Sequence, residues 1–144
     1  FRSDAAPEHT GGCLCGAVRY RAAGEPIAVS HCHCGMCRKA SGGPFLTFAR
    51  FAAKDFTFTK GQPALFRSSE SAVRGFCRRC GGQLTFQFDH LRDTISVSLG
   101  SLDRPEALPP TQHLWTDSQI GWLDLDDGLP RRPGPSDLAP AGKT

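Results

Sequence analysis

Residues 77–88 read Cys77-Arg78-Arg79-Cys80-Gly81-Gly82-Gln83-Leu84-Thr85-Phe86-Gln87-Phe88. A C-x-x-C-Gly turn runs directly into a segment in which large apolar residues alternate with small or polar ones. The turn is a good metal knuckle. It needs two more thiolates to complete a tetrahedral site, with metal–sulfur distances near ~2.3 Å for zinc. The alternation, with Leu84, Phe86 and Phe88 facing away from Gln83, Thr85 and Gln87, is the period-two signature of half-buried sheet. Together the two halves predict a β protein built around bound metal.

The same period continues outward. Ile95, Val97 and Leu99 alternate with Thr94, Ser96 and Ser98, and the polar loop 89–93 joins this run to the previous one as a hairpin. Val18 and Tyr20 alternate with Arg19 and Arg21, and Phe56 and Phe58 with Thr57 and Thr59. Phe45–Phe51 and Val73–Phe76 are further strand candidates. No stretch of ten residues has helical periodicity; a single turn near Arg38–Ser41 is the best helix candidate. The pattern implies a mostly antiparallel β fold with long connections.

The chain holds seven cysteines in three clusters: Cys13-Leu14-Cys15, Cys32-His33-Cys34-Gly35-Met36-Cys37, and the knuckle at Cys77 and Cys80. An odd count argues against a pure disulfide framework. C-x-C pairs are too close for easy bridging, whereas both spacings suit metal ligation in a reducing compartment. Glycines accompany every cluster: Gly11, Gly12 and Gly16 at the first, Gly35 inside the second, Gly81 and Gly82 at the third. Knuckles need backbone turns whose positive φ glycine tolerates.

Pairing two with two assigns Cys13, Cys15, Cys77 and Cys80 to one closed site and keeps the middle cluster whole. Any other partition splits a compact cluster and strands a thiol. Sixty-one residues lie between Cys15 and Cys77, so this site closes a long loop, and structural zinc can supply much of the folding free energy of a small domain. Cys32, Cys34 and Cys37 then form a second site. Three protein ligands with a vacant position are the pattern of a metal that does chemistry. The competing expectation is that His31 or His33 closes this site and makes it structural. His33, between two cysteines, is expected to point away, and His31 to reach more easily. His9, His90 and His113 are expected at the surface or in turns.

At 144 residues, 39% apolar and 22% charged, the composition is that of one soluble domain. The expected organisation is a loose leader at residues 1–10, a single zinc-binding β domain at 11–130, and a flexible Pro/Gly/Ala-rich tail at 131–144. Phe1 comes first and Met36 is the only methionine, so the natural start is expected to be missing or processed. There is no apolar run of ~18–20 residues, and no basic-then-apolar leader. No membrane association is expected, and the expected location is cytoplasmic. The formal charge is +3, and seven thiolates holding two zinc ions would cancel it. A near-neutral protein makes a poor nucleic-acid binder, which needs a basic stripe.

At Cys32–Cys37 followed by Arg38-Lys39-Ala40-Ser41-Gly42, the chain resembles the glutathione-dependent formaldehyde-activating family. The resemblance takes in Gly12–Val18, the Cys77–Gly81 knuckle, Ile95–Leu102, His113-Leu114-Trp115 and Gly121-Trp122. It implies a mainly β fold of small antiparallel sheets around a zinc knuckle, similar to the zinc-binding guanine-nucleotide-release factors. It also implies two zinc ions: a structural one on Cys13, Cys15, Cys77 and Cys80, and a catalytic one on Cys32, Cys34 and Cys37. The implied reaction is that of a carbon–sulfur lyase, S-hydroxymethylglutathione synthase-like, which joins glutathione to formaldehyde. The expected substrate is therefore a small thiol or its aldehyde adduct, with glutathione the candidate thiol. Arg38 and Lys39 are the candidate contacts to its carboxylates. A homo-oligomer is compatible with the sequence. This chain has Ile120-Gly121 before Trp122, where relatives commonly carry Ala-Pro.

Other expectations are plainer. Arg78 and Arg79 balance thiolate charge or lie at the surface. Asp124, Asp126 and Asp127 form a solvated acidic turn. Trp115 and Trp122 are core aromatics, and Phe45 and Phe48 are core residues or pocket walls near the three-cysteine cluster. The competing function class is a non-catalytic zinc module that binds a protein partner.

Overall fold

The alternating segments do form strands. The computed structural model describes residues 7–135. Along the chain these form β1 (Glu8–Gly12), β2 (Arg19–Ala23), β3 (Ala28–Cys32), α1 (Gly35–Ser41), β4 (Leu46–Ala52), β5 (Phe56–Lys60), β6 (Ala64–Ser69), β7 (Ala72–Phe76), β8 (Gln83–Phe88), β9 (Thr94–Ser98) and β10 (Gln112–Leu114). The candidate helical turn is real and starts three residues earlier than expected. Among the described residues no helix is long and apolar enough to cross a membrane.

Two sheets result. β1, β2 and β5 make a three-stranded antiparallel sheet; the other seven strands make a sheet in the order β10-β3-β4-β9-β8-β7-β6. Only the short β10 runs parallel to its neighbour, β3, among the described strands. The expected hairpin is β8–β9, with Thr85 opposite Val97 and Phe86 opposite Ser96. Val18, Tyr20, Ala22, Ala49, Phe51, Leu84 and Val97 share the main core, with Phe56 and Phe58 packed against it. Residues of both sheets therefore meet in one apolar layer. Each large apolar side chain buried there contributes about 1.5–3 kcal/mol.

The opposite face of the large sheet positions the candidate site. Directly opposed residues share a face, and the pairs Cys32–Leu46 and Ser30–Phe48 lead to Phe48–Ser98. Ser96 and Ser98 are consequently buried, 4% and 6% exposed, although the alternation predicts solvent for them. Central strands of a sheet covered on both faces have no wet side. Leu84 also departs from the expected pattern. The β7–β8 register shifts between Gly75 and Phe76, and this bulge turns Leu84 into the main core, while Phe86 and Phe88 pack with Ala72, Phe48 and Leu91.

The expected domain limits also move. Residues 8–10 belong to β1, paired with β2 through Glu8–Ala23 and His9–Ala22. Arg131 bridges His113, the Arg132 amide donates to the His113 carbonyl at 2.9 Å, and the Trp115 amide donates to Gly134. Backbone hydrogen bonding thus carries residues 131–134 onto β10, where a tail was expected. The rest of the leader and tail, residues 1–6 and 136–144, lies outside the described residues.

Candidate metal centres

Two similar turns meet at the first site. Cys13 and Cys15 sit in the β1–β2 turn, and Cys77 and Cys80 in the β7–β8 turn. In each, the second cysteine is followed by a glycine in the left-handed region, Gly16 at φ 80° and Gly81 at φ 77°, where a side chain would be strained. The turns are closed by Cys13 N–H to Val18 O at 3.1 Å and by Gly81 N–H to Cys77 O at 2.8 Å. Backbone amides point at the sulfurs: Val18 N–H to Cys13 Sγ at 3.3 Å and Cys80 N–H to Cys77 Sγ at 3.4 Å.

The four sulfurs all lie within 4.8 Å of one another. Cys13 and Cys15 are 3.7 Å apart, Cys15 and Cys77 3.8 Å. A tetrahedron with metal–sulfur bonds of about 2.3 Å has edges of about 3.8 Å, so the quartet fits zinc. Its titration agrees. Burial raises the Cys13 thiol, but the Val18 amide and the three neighbouring sulfurs outweigh it and bring it down to about 6. The Ala17 amide favours the Cys15 thiolate, yet desolvation and the sulfurs of Cys13, Cys77 and Cys80 push that thiol up to about 11. Four sulfurs this close cannot all ionise without a cation between them.

The second site is local. Cys32 ends β3, Cys34 caps the start of α1, and Cys37 lies one turn into it, its amide donating to Cys34 Sγ at 3.3 Å. Gly42, at φ 76°, ends the helix and returns its amide to the Arg38 carbonyl. The three cysteines are 3%, 0% and 0% exposed. Met36, Leu46, Phe48 and Trp115 pack around them and exclude water. Trp115 itself adopts φ 57°, the one non-glycine positive φ among the described residues, and such strain collects at functional sites. The trio's sulfurs also lie within 4.8 Å of one another, and among the described residues no histidine nitrogen joins that group. Hydrogen bonding with Cys34 and Cys37, followed by burial, drives the Cys32 thiol strongly upward. Cys32 favours the Cys37 thiolate, but Cys34 and burial overrule it and raise that thiol too. Three buried sulfurs this close together are a donor set suited to a thiophilic divalent cation.

The histidines are differently employed than expected. His31 Nδ1 is 2.7 Å from Thr47 Oγ1. His33 Nε2 is 2.9 Å from His113 Nδ1, and His113 Nε2 is 2.8 Å from an Asp127 carboxylate oxygen. His113 is wholly buried, contrary to its expected surface position. His9 is half-buried and packs against Phe51, ring centroids 5.7 Å apart; His90 is exposed, as expected. Asp127 stays exposed in the acidic turn and from there holds His113. His31, His113 and Asp127 also bring ligand atoms within 4.8 Å. However, the two rings stack at 4.9 Å and 28°, and near-parallel stacked planes do not converge on one ion.

Lys39 lines a cavity of about 390 Å³ beside the trio, together with Met36, Phe66, Ser68, Arg74 and Gln83. Arg38 does not; it is half-buried, with its Nε lacking a hydrogen-bond partner. Phe45 packs edge-on to His31 at 5.0 Å, and Phe48 packs on the trio. Trp122 is 75% exposed and so is not a core residue. Sequence reasoning passed over Arg74, which is 4% exposed, donates to Cys37 Sγ at 3.6 Å and lies 4.9 Å over the Phe86 ring. The available signal was a charged residue inside the otherwise apolar run 72–76.

Residues 8–118 match the family model for the glutathione-dependent formaldehyde-activating enzyme. An uncharacterized lyase of Schizosaccharomyces pombe is 35% identical over 92 residues, 64% of this chain and 66% of that protein. The chain thus spans just under two thirds of that relative's length. A putative glutathione-dependent formaldehyde-activating enzyme of Halomonas elongata is 25% identical over 125 residues, 81% of this chain and 80% of the other. Among solved structures, a Rhodobacter sphaeroides protein aligns over 85% of this chain and 98% of its own with a TM-score of 0.53. At 19% identity that likeness is one of fold.

Proposed function

We propose, on the premise that this chain belongs to the glutathione-dependent formaldehyde-activating enzyme family, that it is a zinc-dependent carbon–sulfur lyase acting on the adduct of a small thiol and an aldehyde. The observation that carries this reading is the buried trio Cys32, Cys34 and Cys37, three sulfurs within 4.8 Å and no fourth protein ligand grouped with them among the described residues. The candidate thiol is glutathione and the candidate aldehyde formaldehyde. Two zinc ions per chain are proposed, one on the quartet and one on the trio.

In this reading Cys13, Cys15, Cys77 and Cys80 join the two sheets, and the trio holds the second ion beside a cavity. Bound there, zinc would supply an electrophilic centre that favours thiolate over thiol and orients a partner. The chain's own residues prepare the surroundings. Met36, Leu46, Phe48 and Trp115 keep water away, which strengthens electrostatics inside. The Arg74 guanidinium offsets thiolate charge at Cys37. The amide of Cys37 steadies Cys34 Sγ. Holding both reactants beside one another supplies much of the gain expected for such an addition.

The test is exchange NMR on an equilibrium mixture of glutathione and formaldehyde. The protein is expected to speed interconversion of the free thiol and its hydroxymethyl adduct, and Cys34→Ser to abolish the effect. No acceleration by zinc-loaded protein would overturn the assignment of this substrate pair. A cobalt-substituted sample gives an independent reading. Glutathione is expected to change the thiolate-to-metal bands; an unchanged spectrum would favour the non-catalytic module.

A further inference from the structure

The cavity beside the trio has a wall from α1 on one side and walls from β6 and β7 on the other. At about 390 Å³ it falls at the lower end of the range for small-molecule sites, about 300–1,000 Å³. Met36 and Phe66 line it with apolar surface, and Phe66 stays 62% exposed on the edge strand β6. Its charged lining residues are both cations, Lys39 and Arg74. Among the described residues no carboxylate lines it.

Arg74 joins the cavity to the trio. Its guanidinium is only partly used: Nη2 donates to Cys37 Sγ at 3.6 Å, while Nε, on the same side of the fork, is buried and has no hydrogen-bond partner, in a residue only 4% exposed. Ser68 Oγ, on the same cavity, is also buried and unpartnered. Buried donors left unmade are costly, and the planar fork of arginine suits a carboxylate. Lys39 is exposed at the end of α1, so it adds positive charge near the opening.

We propose that this cavity binds the carboxylate of an anionic thiol, with Arg74 and Ser68 as the buried donors and Lys39 as the cation at the mouth. The ligand's acid group then lies against the residue that also touches Cys37, which directs its sulfur toward the trio. That the ligand is a thiol rests on the function proposed above; that it is an anion rests on the cavity alone. Lys39 keeps the role expected of it, and the buried Arg74 takes the place of Arg38.

The experiment titrates zinc-loaded protein with three probes, followed by calorimetry: glutathione, S-methylglutathione and glutathione diethyl ester. S-methylglutathione has the carboxylates and no free thiol; the diester has the thiol and no carboxylate. S-methylglutathione is expected to bind. Lys39→Gln is expected to weaken it about three- to fivefold, as for a solvent-accessible ion pair, and to leave the diester unchanged. Arg74→Lys is expected to weaken both acids about tenfold or more, because one ammonium cannot replace the fork. Lys39→Gln, at an exposed position, keeps the test valid should the buried variant fold poorly. Equal binding of diester and acids, or unaltered acid binding by Lys39→Gln, would overturn the proposal. Lys39-dependent binding of S-methylglutathione with no acceleration in the exchange assay would uphold the anion site and remove the lyase reading. Acceleration without S-methylglutathione binding would do the reverse.

Discussion

Replacing Cys80 by serine is expected to remove the staple between the two sheets. Cys15 and Cys77 are 62 positions apart, and the quartet joins the β1–β2 turn of one sheet to the β7–β8 turn of the other. Treating the metal as a cross-link, the entropy withheld from the unfolded chain by closing such a loop is worth about 4 kcal/mol. That is a large share of a domain's total stability of about 5–15 kcal/mol. The trio closes a much shorter segment, Cys32 to Cys37, for which the same relation gives about 2 kcal/mol. With a urea slope of about 2 kcal/mol/M, Cys80→Ser should lower the unfolding midpoint by about 2 M and Cys34→Ser by about 1 M. The assay is urea unfolding followed by circular dichroism, for wild type and both variants, with zinc-depleted and zinc-restored samples. Zinc should return the depleted wild type to its original midpoint and leave Cys80→Ser far short of it. Equal losses in the two variants, or a wild-type midpoint indifferent to zinc, would refute the division into scaffold site and reaction site.

Three further outcomes follow from particular contacts. His113→Ala should lose about 3 kcal/mol in urea melts, since it empties a fully buried site and breaks contacts to His33 and Asp127. Asp127→Asn should lose less than about 1 kcal/mol, because an amide oxygen still accepts from His113; similar losses would contradict the network. Hydrogen bonds from Arg19 and Thr10 hold the Asp103 carboxyl down at about 2, below its ordinary 3.8. A depressed folded pKa means stability that is present above 3.8 and lost as pH falls through about 2. Asp103→Asn should therefore flatten the acid limb of the stability profile in that window and leave its neutral limb parallel to wild type; an unchanged acid limb would remove the ion pair from the account. A Cβ at Gly75 would lie 2.2 Å from Thr85 Oγ1. Gly75→Ala should cost about 1–3 kcal/mol, with Thr85→Ala recovering part of it in a double-mutant cycle.

What could be read from the linear chain was whatever depends on neighbours along it. Period-two alternation announced most of the strands, since successive side chains of a strand point to opposite faces whatever lies beyond. The cysteine spacings, with glycine after Cys15 and Cys80, announced the knuckles, because a turn of that size closes on itself. The fold brings Cys13, Cys15, Cys77 and Cys80 into one group and Cys32, Cys34 and Cys37 into another. Tertiary structure decided the rest, for one physical reason: a residue's surroundings depend on which distant segments fold against it. Ser96 and Ser98 are buried because strands pair on both sides of β9 and both faces are covered. Leu84 turns inward because a bulge breaks its alternation. His113 meets His33 across 80 positions and Asp127 across 14, and no local pattern encodes either meeting. Arg74 approaches Cys37 from 37 positions away, so the cation nearest the trio became identifiable only when β7 was laid beside α1.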